Sequence, residues 1–104
     1  MGSERRRFQR IPTQNMVVEQ GKVFRTLDLS REGMLLEVDV PPPVGSRLHL
    51  DLALGEDIVE AQVQVMRHET QPDGKVAAGV LFDRLTPKAE RAIREYLLKK
   101  TVKK

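Results

Sequence analysis

Arg47-Leu48-His49-Leu50-Asp51-Leu52-Ala53-Leu54 is the stretch whose reading decides the fold. Leucine falls at every second position, with His49, Asp51 and Ala53 between. On a strand this period puts the leucines on one face and the other residues on the opposite face. On a helix the same leucines would scatter around the circumference, and no single face could be buried. The run is therefore a strand with one side turned to a core. Downstream, Val59, Ala61, Val63 and Val65 repeat the pattern against Glu60, Gln62 and Gln64. Pro72-Asp73-Gly74 is a turn, because Pro presets φ and Gly accepts a positive φ. Val76, Ala78, Val80 and Phe82 then mark the inward face of a further strand.

Upstream, Pro41-Pro42-Pro43 interrupts regular pairing, and residues 33–40 form another extended, apolar-rich run. Gln20-Gly21 joins the runs 15–19 and 22–29 as a hairpin. After Leu85 the period changes. Thr86 suits an N-cap and Pro87 the first helical position. Ala89, Ala92, Ile93, Tyr96 and Leu97 recur at helical spacing, while Leu98 falls off that stripe. Lys99 and Lys100 stand where the helix dipole favours cations. The pattern predicts an all-β domain of about six antiparallel strands, closed into a small barrel because closure removes exposed edges. One helix covers an opening or a side. Within a single domain over 1–104, residues 1–12 are expected to form a flexible arginine arm, 13–85 the barrel and 86–100 the helix.

Composition narrows the function. The chain has no cysteine, which excludes disulfides and thiolate metal sites and suits a reducing cytosol. No apolar run reaches the length that crosses a bilayer, and no signal-peptide pattern opens the chain, so a cytoplasmic protein without membrane insertion is expected. The sequence holds no nucleophile elbow, phosphate-binding loop or paired-carboxylate pattern, so no enzyme is expected. His49 and His68 lie on different predicted strands without spaced ligands, so neither is expected to hold a metal. The net charge of +3 is unevenly placed: Arg5, Arg6, Arg7 and Arg10 crowd one end, and Lys99, Lys100, Lys103 and Lys104 the other. The lysines read as a solubility tail. The arginines suggest an anionic partner.

Two segments carry chemistry. In Arg6-Arg7-Phe8-Gln9-Arg10 the outer arginines are spaced R-x-x-x-R. A guanidinium is a planar fork of donors that matches phosphate oxygens and the O6/N7 edge of guanine. Phe8 is the only aromatic residue there. In Asp28-Leu29-Ser30-Arg31-Glu32-Gly33 the carboxylate can accept from the N1–H and N2–H of guanine, and the Ser30 hydroxyl can serve a phosphate or the turn itself. Gly33 is expected to supply a φ that other residues avoid. Hairpin pairing joins the segments. If Glu19 faces Lys22 across Gln20-Gly21 and pairing continues in step, Thr13 faces Asp28 and Arg10 lies level with Arg31. The arm then leaves the barrel beside the turn.

An R-x-x-x-R arm, a hairpin, D-x-S-x-x-G, a small barrel and a terminal helix together resemble the PilZ domain. Ala78-Gly79-Val80-Leu81-Phe82 looks like that family's glycine-containing last strand. The resemblance implies a six-stranded antiparallel split β-barrel that binds cyclic di-GMP on its outside, with no further cofactor. It implies that Arg6 and Arg10 contact guanine and phosphate, and that Asp28, Ser30 and Gly33 hold the ligand from the turn. It also implies that Arg5, just ahead of the motif, goes with two stacked ligand molecules. The expected role is a receptor whose arm orders on binding and signals to a downstream protein. Two other readings stay open: a ligand-independent adaptor of the same fold, and a small nucleic-acid-binding barrel. Three Phe, one Tyr and no Trp leave few stacking platforms for single strands.

Overall fold

A computed structural model describes residues 9–101. Seven strands, β1 (Ile11–Pro12), β2 (Met16–Glu19), β3 (Lys22–Leu29), β4 (Gly33–Glu37), β5 (Arg47–Leu54), β6 (Asp57–Thr70) and β7 (Val76–Arg84), precede one helix, α1 (Pro87–Thr101). They run in the order β1-β3-β2-β5-β6-β7-β4, and β4 also pairs with β3. That last pairing closes β2 to β7 into a six-stranded antiparallel barrel, with β1 as an extra strand on β3. Closure leaves few edges for unwanted pairing.

The leucine alternation of β5 does what its period dictates. Leu50, Leu52 and Leu54 are buried, Leu48 packs against the core, and His49 and Asp51 face outward. Across the ladder Leu48 pairs with Val63, Leu50 with Ala61 and Leu52 with Val59, so the two alternating runs face the same core. Each fully buried aliphatic side chain contributes roughly 1.5–3 kcal/mol. The hairpin tip has positive φ at both Gln20 (52°) and Gly21 (81°), the combination that matches the twist of two antiparallel strands. Thr86 Oγ1 accepts from the Ala89 N–H at 3.0 Å, and α1 turns Ala89, Ile93 and Leu97 to the barrel. Asn15 fastens the helix: its Nδ2 donates to Ala53 O (2.9 Å) and to the Tyr96 hydroxyl (3.0 Å).

Two sequence expectations change here. The extended run expected over 33–40 ends as a strand at Glu37, short of the proline triplet. The hairpin register holds from Glu19↔Lys22 to Met16↔Arg25, then slips by one residue: Pro12, not Thr13, pairs with Asp28, and Ile11 with Leu29. The slip falls at Gln14. Asn15 O still accepts from the Thr26 N–H, whereas the Thr13 N–H donates to Leu27 O. Thr13 Oγ1 meets Thr26 Oγ1 at 2.9 Å in a buried contact. Bringing these two hydroxyls together inside uses up the extra residue. Ile11 and Pro12, read as part of the arm, are thereby paired to β3.

Candidate ligand-binding site

The turn between β3 and β4 is built by Ser30. Its Oγ accepts from the N–H groups of Glu32 (3.1 Å) and Gly33 (3.2 Å), and its own N–H donates to Gly33 O (2.9 Å). The side chain is buried. A hydroxyl holding two backbone donors is committed to the turn, the structural alternative that the sequence allowed. The turn is also tied to β7, since the Phe82 N–H donates to Glu32 O at 2.8 Å.

Gly33 departs from expectation in its reason. The positive-φ glycines of the described residues are Gly21, Gly45, Gly55 and Gly74, and Gly33 is not among them. A Cβ at Gly33 would instead stand 2.0 Å from Val80 O and 3.0 Å from Leu81 Cα. Glycine is needed because β4 and β7 approach too closely for a side chain, not because of left-handed backbone.

Asp28 and Arg10 meet beside this turn. Arg10 Nη1 donates to Asp28 Oδ2 at 3.4 Å, with side-chain exposures of 28% and 20%. The Pro12–Asp28 pairing places Arg10 on this side of the barrel. Asp28 Oδ1 is buried and has no hydrogen-bond partner among the described residues. A buried acceptor of this kind is an exception that calls for a donor. The pair thus presents a guanidinium with spare N–H donors beside a carboxylate with a spare acceptor. Such a site can take a ligand that carries an anion next to an amidine-like N–H edge.

Arg10, Asp28, Ser30 and Gly33 are therefore gathered at one corner. Arg5 and Arg6, with residues 1–8 of the arm expected over 1–12, lie outside the described residues. The structure adds Arg31, which the sequence reading used only as a register marker. It borders two concavities flanking the turn, one of about 240 Å³ toward α1 and one of about 520 Å³ toward β7. Its cationic side chain in the middle of D-x-S-x-x-G was the available signal. A broader groove of about 740 Å³ lies elsewhere, between Met16, Val23 and Lys75. Within it Arg25 and Lys75 reach Glu37 at 3.2 and 3.7 Å. His49 contacts Glu60 at 3.6 Å and His68 Nε2 meets Pro42 O at 2.7 Å. Among the described residues no group of His, Asp and Glu could hold a metal, and no helix is long and apolar enough to cross a membrane.

The PilZ domain family model matches residues 4–99. The chain belongs to the PilZ domain family. This PilZ domain is similar to the Bacillus subtilis inhibitor of motility MotI (DgrA), with a TM-score of 0.82 at 17% identity, over 94% of this chain and 51% of that one. It is similar to Escherichia coli YcgR, solved in complex with c-di-GMP (TM-score 0.76, 19% identity, 90% of this chain and 45% of that one). It also matches the PilZ domain of Escherichia coli YcgR with c-di-GMP, with a TM-score of 0.68 at 19% identity, over 93% of this chain and 92% of that one. At these identities the likeness is one of fold. The chain spans about half the length of MotI and of YcgR. No curated protein matches it in sequence.

Proposed function

We propose that this PilZ domain is a cyclic di-GMP receptor that acts by binding and not by catalysis. The observation that carries the proposal is the Arg10–Asp28 pair, with its spare donors and its unmatched buried Oδ1, beside the Ser30–Gly33 turn. Family membership and the c-di-GMP complex of YcgR support the choice of ligand. Arg6 and Arg10 grip phosphate and the O6/N7 edge of guanine. Asp28 accepts from the guanine N1–H and N2–H. Ser30 and Gly33 shape the corner against which the ligand lies. Arg5 extends the grip to a second, stacked ligand molecule.

The magnitudes are compatible. A hydrogen bond to a charged group contributes roughly 1.5–3 kcal/mol, so four give about 6–12 kcal/mol. Ordering the arginine segment upstream of Gln9 costs about 1–2 kcal/mol per backbone residue. Micromolar affinity requires about 8 kcal/mol, which lies within reach. Ligand binding therefore orders that segment, and the ordered segment presents a new surface to a downstream protein in the cytoplasm. The test is a titration of the protein with cyclic di-GMP beside random DNA and RNA. Saturable binding of the dinucleotide alone is expected; binding of nucleic acid alone overturns the proposal.

A further inference from the structure

Two irregularities in the strand ladders bring a second arginine into line with Asp28. Between Thr26 and Asp28, β3 advances two residues while β4 advances one, from Leu36 to Leu35. Between Val65 and Arg67, β6 advances two residues while β7 advances one, from Val80 to Gly79. An extra residue of this kind re-aims the side chain that follows it. In strict alternation Leu27 would stand opposite Leu35 and Met66 opposite Gly79. Asp28 and Arg67 would then fall on the inner face, opposite the core residues Met34 and Ala78. The shifts put both on the outer face instead. Leu35 pairs with Gly79, so Asp28, Leu35, Gly79 and Arg67 form one row across β3, β4, β7 and β6.

Arg67 lies along that row. A Cβ on Gly79 would stand 2.8 Å from Arg67 Nη1, 2.9 Å from Cζ and 3.2 Å from Cγ. The side chain thus crosses β7 where only a glycine leaves room, in the direction of β4 and Asp28. Gly79 is not among the positive-φ glycines, so this close approach is the reason for it. Arg67 Nε donates to Glu69 Oε2 at 2.7 Å, and Nη2 pairs with the same oxygen. The Nη1 edge is left over the sheet face. Neighbouring strands lie about 4.8 Å apart, so Asp28, two strands from Gly79, stands about 10 Å away.

We propose that Arg67 is a further ligand-binding residue, whose Nη1 edge donates to the O6/N7 edge of the second guanine of the ligand that Arg10 and Asp28 hold. The proposal rests on the receptor function above. Cyclic di-GMP carries two guanines, and the Arg10–Asp28 corner can accept the N1–H edge of only one. Arg67 with Glu69 repeats, at the far end of the row, the guanidinium–carboxylate pair of the near end. A guanidinium matches the O6/N7 edge of guanine. Because Glu69 already balances its charge, Arg67 suits a neutral base edge; a phosphate there would be repelled by the carboxylate. Gly79 keeps the floor between the two pairs low.

Calorimetric titration of cyclic di-GMP into the parent, Arg67→Ala, Gly79→Ala and the double variant tests this. Arg67→Ala removes only a partly exposed ion pair, and Gly79→Ala displaces a flexible side chain, so both should fold. Arg67→Ala should bind roughly tenfold more weakly. Gly79→Ala keeps every charge but lifts the guanidinium off the row, and should also weaken binding; the double variant should bind no more weakly than Arg67→Ala. A ligand with 7-deazaguanine bases lacks the N7 acceptor, and its loss of affinity should be smaller in Arg67→Ala than in the parent. Parental affinity in Arg67→Ala overturns the proposal and leaves the receptor function standing. A Gly79→Ala loss that persists in full beside Arg67→Ala overturns it too, as does an equal 7-deaza loss in parent and Arg67→Ala. A parent that does not bind removes the receptor function and this proposal together.

Discussion

Arg10 and Asp28 stand 18 positions apart in the chain, yet Nη1 of one donates to Oδ2 of the other across 3.4 Å. Pairing of Ile11 with Leu29 and of Pro12 with Asp28 is what brings them together. A partly exposed ion pair contributes about 0–1 kcal/mol to stability. The pair is thus better suited to positioning two groups for a ligand than to holding the barrel closed.

Arg10→Ala and Asp28→Ala should therefore leave the fold intact. Each is expected to move the melting temperature by less than about 8 °C, the shift that roughly 1 kcal/mol produces in a domain of this size. Thermal unfolding followed by circular dichroism checks this. A collapse of either variant would make the pair structural.

Gly33→Ala should destabilise the protein by about 1–3 kcal/mol, the usual cost of forcing extra atoms into packed structure. The added Cβ would meet a backbone carbonyl, Val80 O, which cannot swing aside as a side chain can. Gly33→Val should cost more. Denaturant unfolding measures both, and an unchanged midpoint for Gly33→Ala would contradict the observed approach of β4 to β7.

Ser30→Ala removes the acceptor of two backbone N–H groups. Leaving such donors unmatched costs about 1–3 kcal/mol. The amides of Glu32 and Gly33 should exchange faster in this variant than in the parent, while amides of β5 and β6 keep their order of protection. If those two amides exchange no faster, the hydroxyl does not hold the turn.

Affinity for the dianionic ligand should fall as salt rises, because partly exposed arginine–phosphate contacts are screened within about 10 Å at 0.1 M ionic strength. Titrations between low and high sodium chloride are expected to show a weakening of several-fold while the melting temperature barely moves. A salt-independent Kd would remove phosphate from the account.

The sequence shows the barrel where local periodicity and burial agree. Leu50, Leu52 and Leu54 on one strand and Val59, Val63 and Val65 on the next alternate without interruption, and every one of them is buried. Thr86 and Pro87 mark the helix start because capping is a local interaction. The features that sequence does not show depend on residues distant in the chain. The register slip at Gln14 arises from a buried hydroxyl contact between Thr13 and Thr26, which no local pattern announces. The need for glycine at 33 comes from Val80, on β7, a strand that lies far along the chain from β4 and pairs with it. The site was legible in part. Its corner, Arg10 beside Asp28 with Ser30 and Gly33 adjoining, follows from hairpin pairing even with the slip. That Ser30 is committed to the turn depends on backbone positions that spacing alone leaves open.

The account rests on Arg10 and Asp28 holding one ligand together, and calorimetric titration of cyclic di-GMP into the parent, Arg10→Ala, Asp28→Ala and the double variant tests it most directly. The parent should bind at micromolar or tighter Kd. Each single variant should lose roughly tenfold to a hundredfold, as expected when a charge-assisted bond of about 1.5–3 kcal/mol is removed. The double variant should lose less than the two effects combined, because the residues share one ligand. Undiminished binding in both single variants would contradict the account.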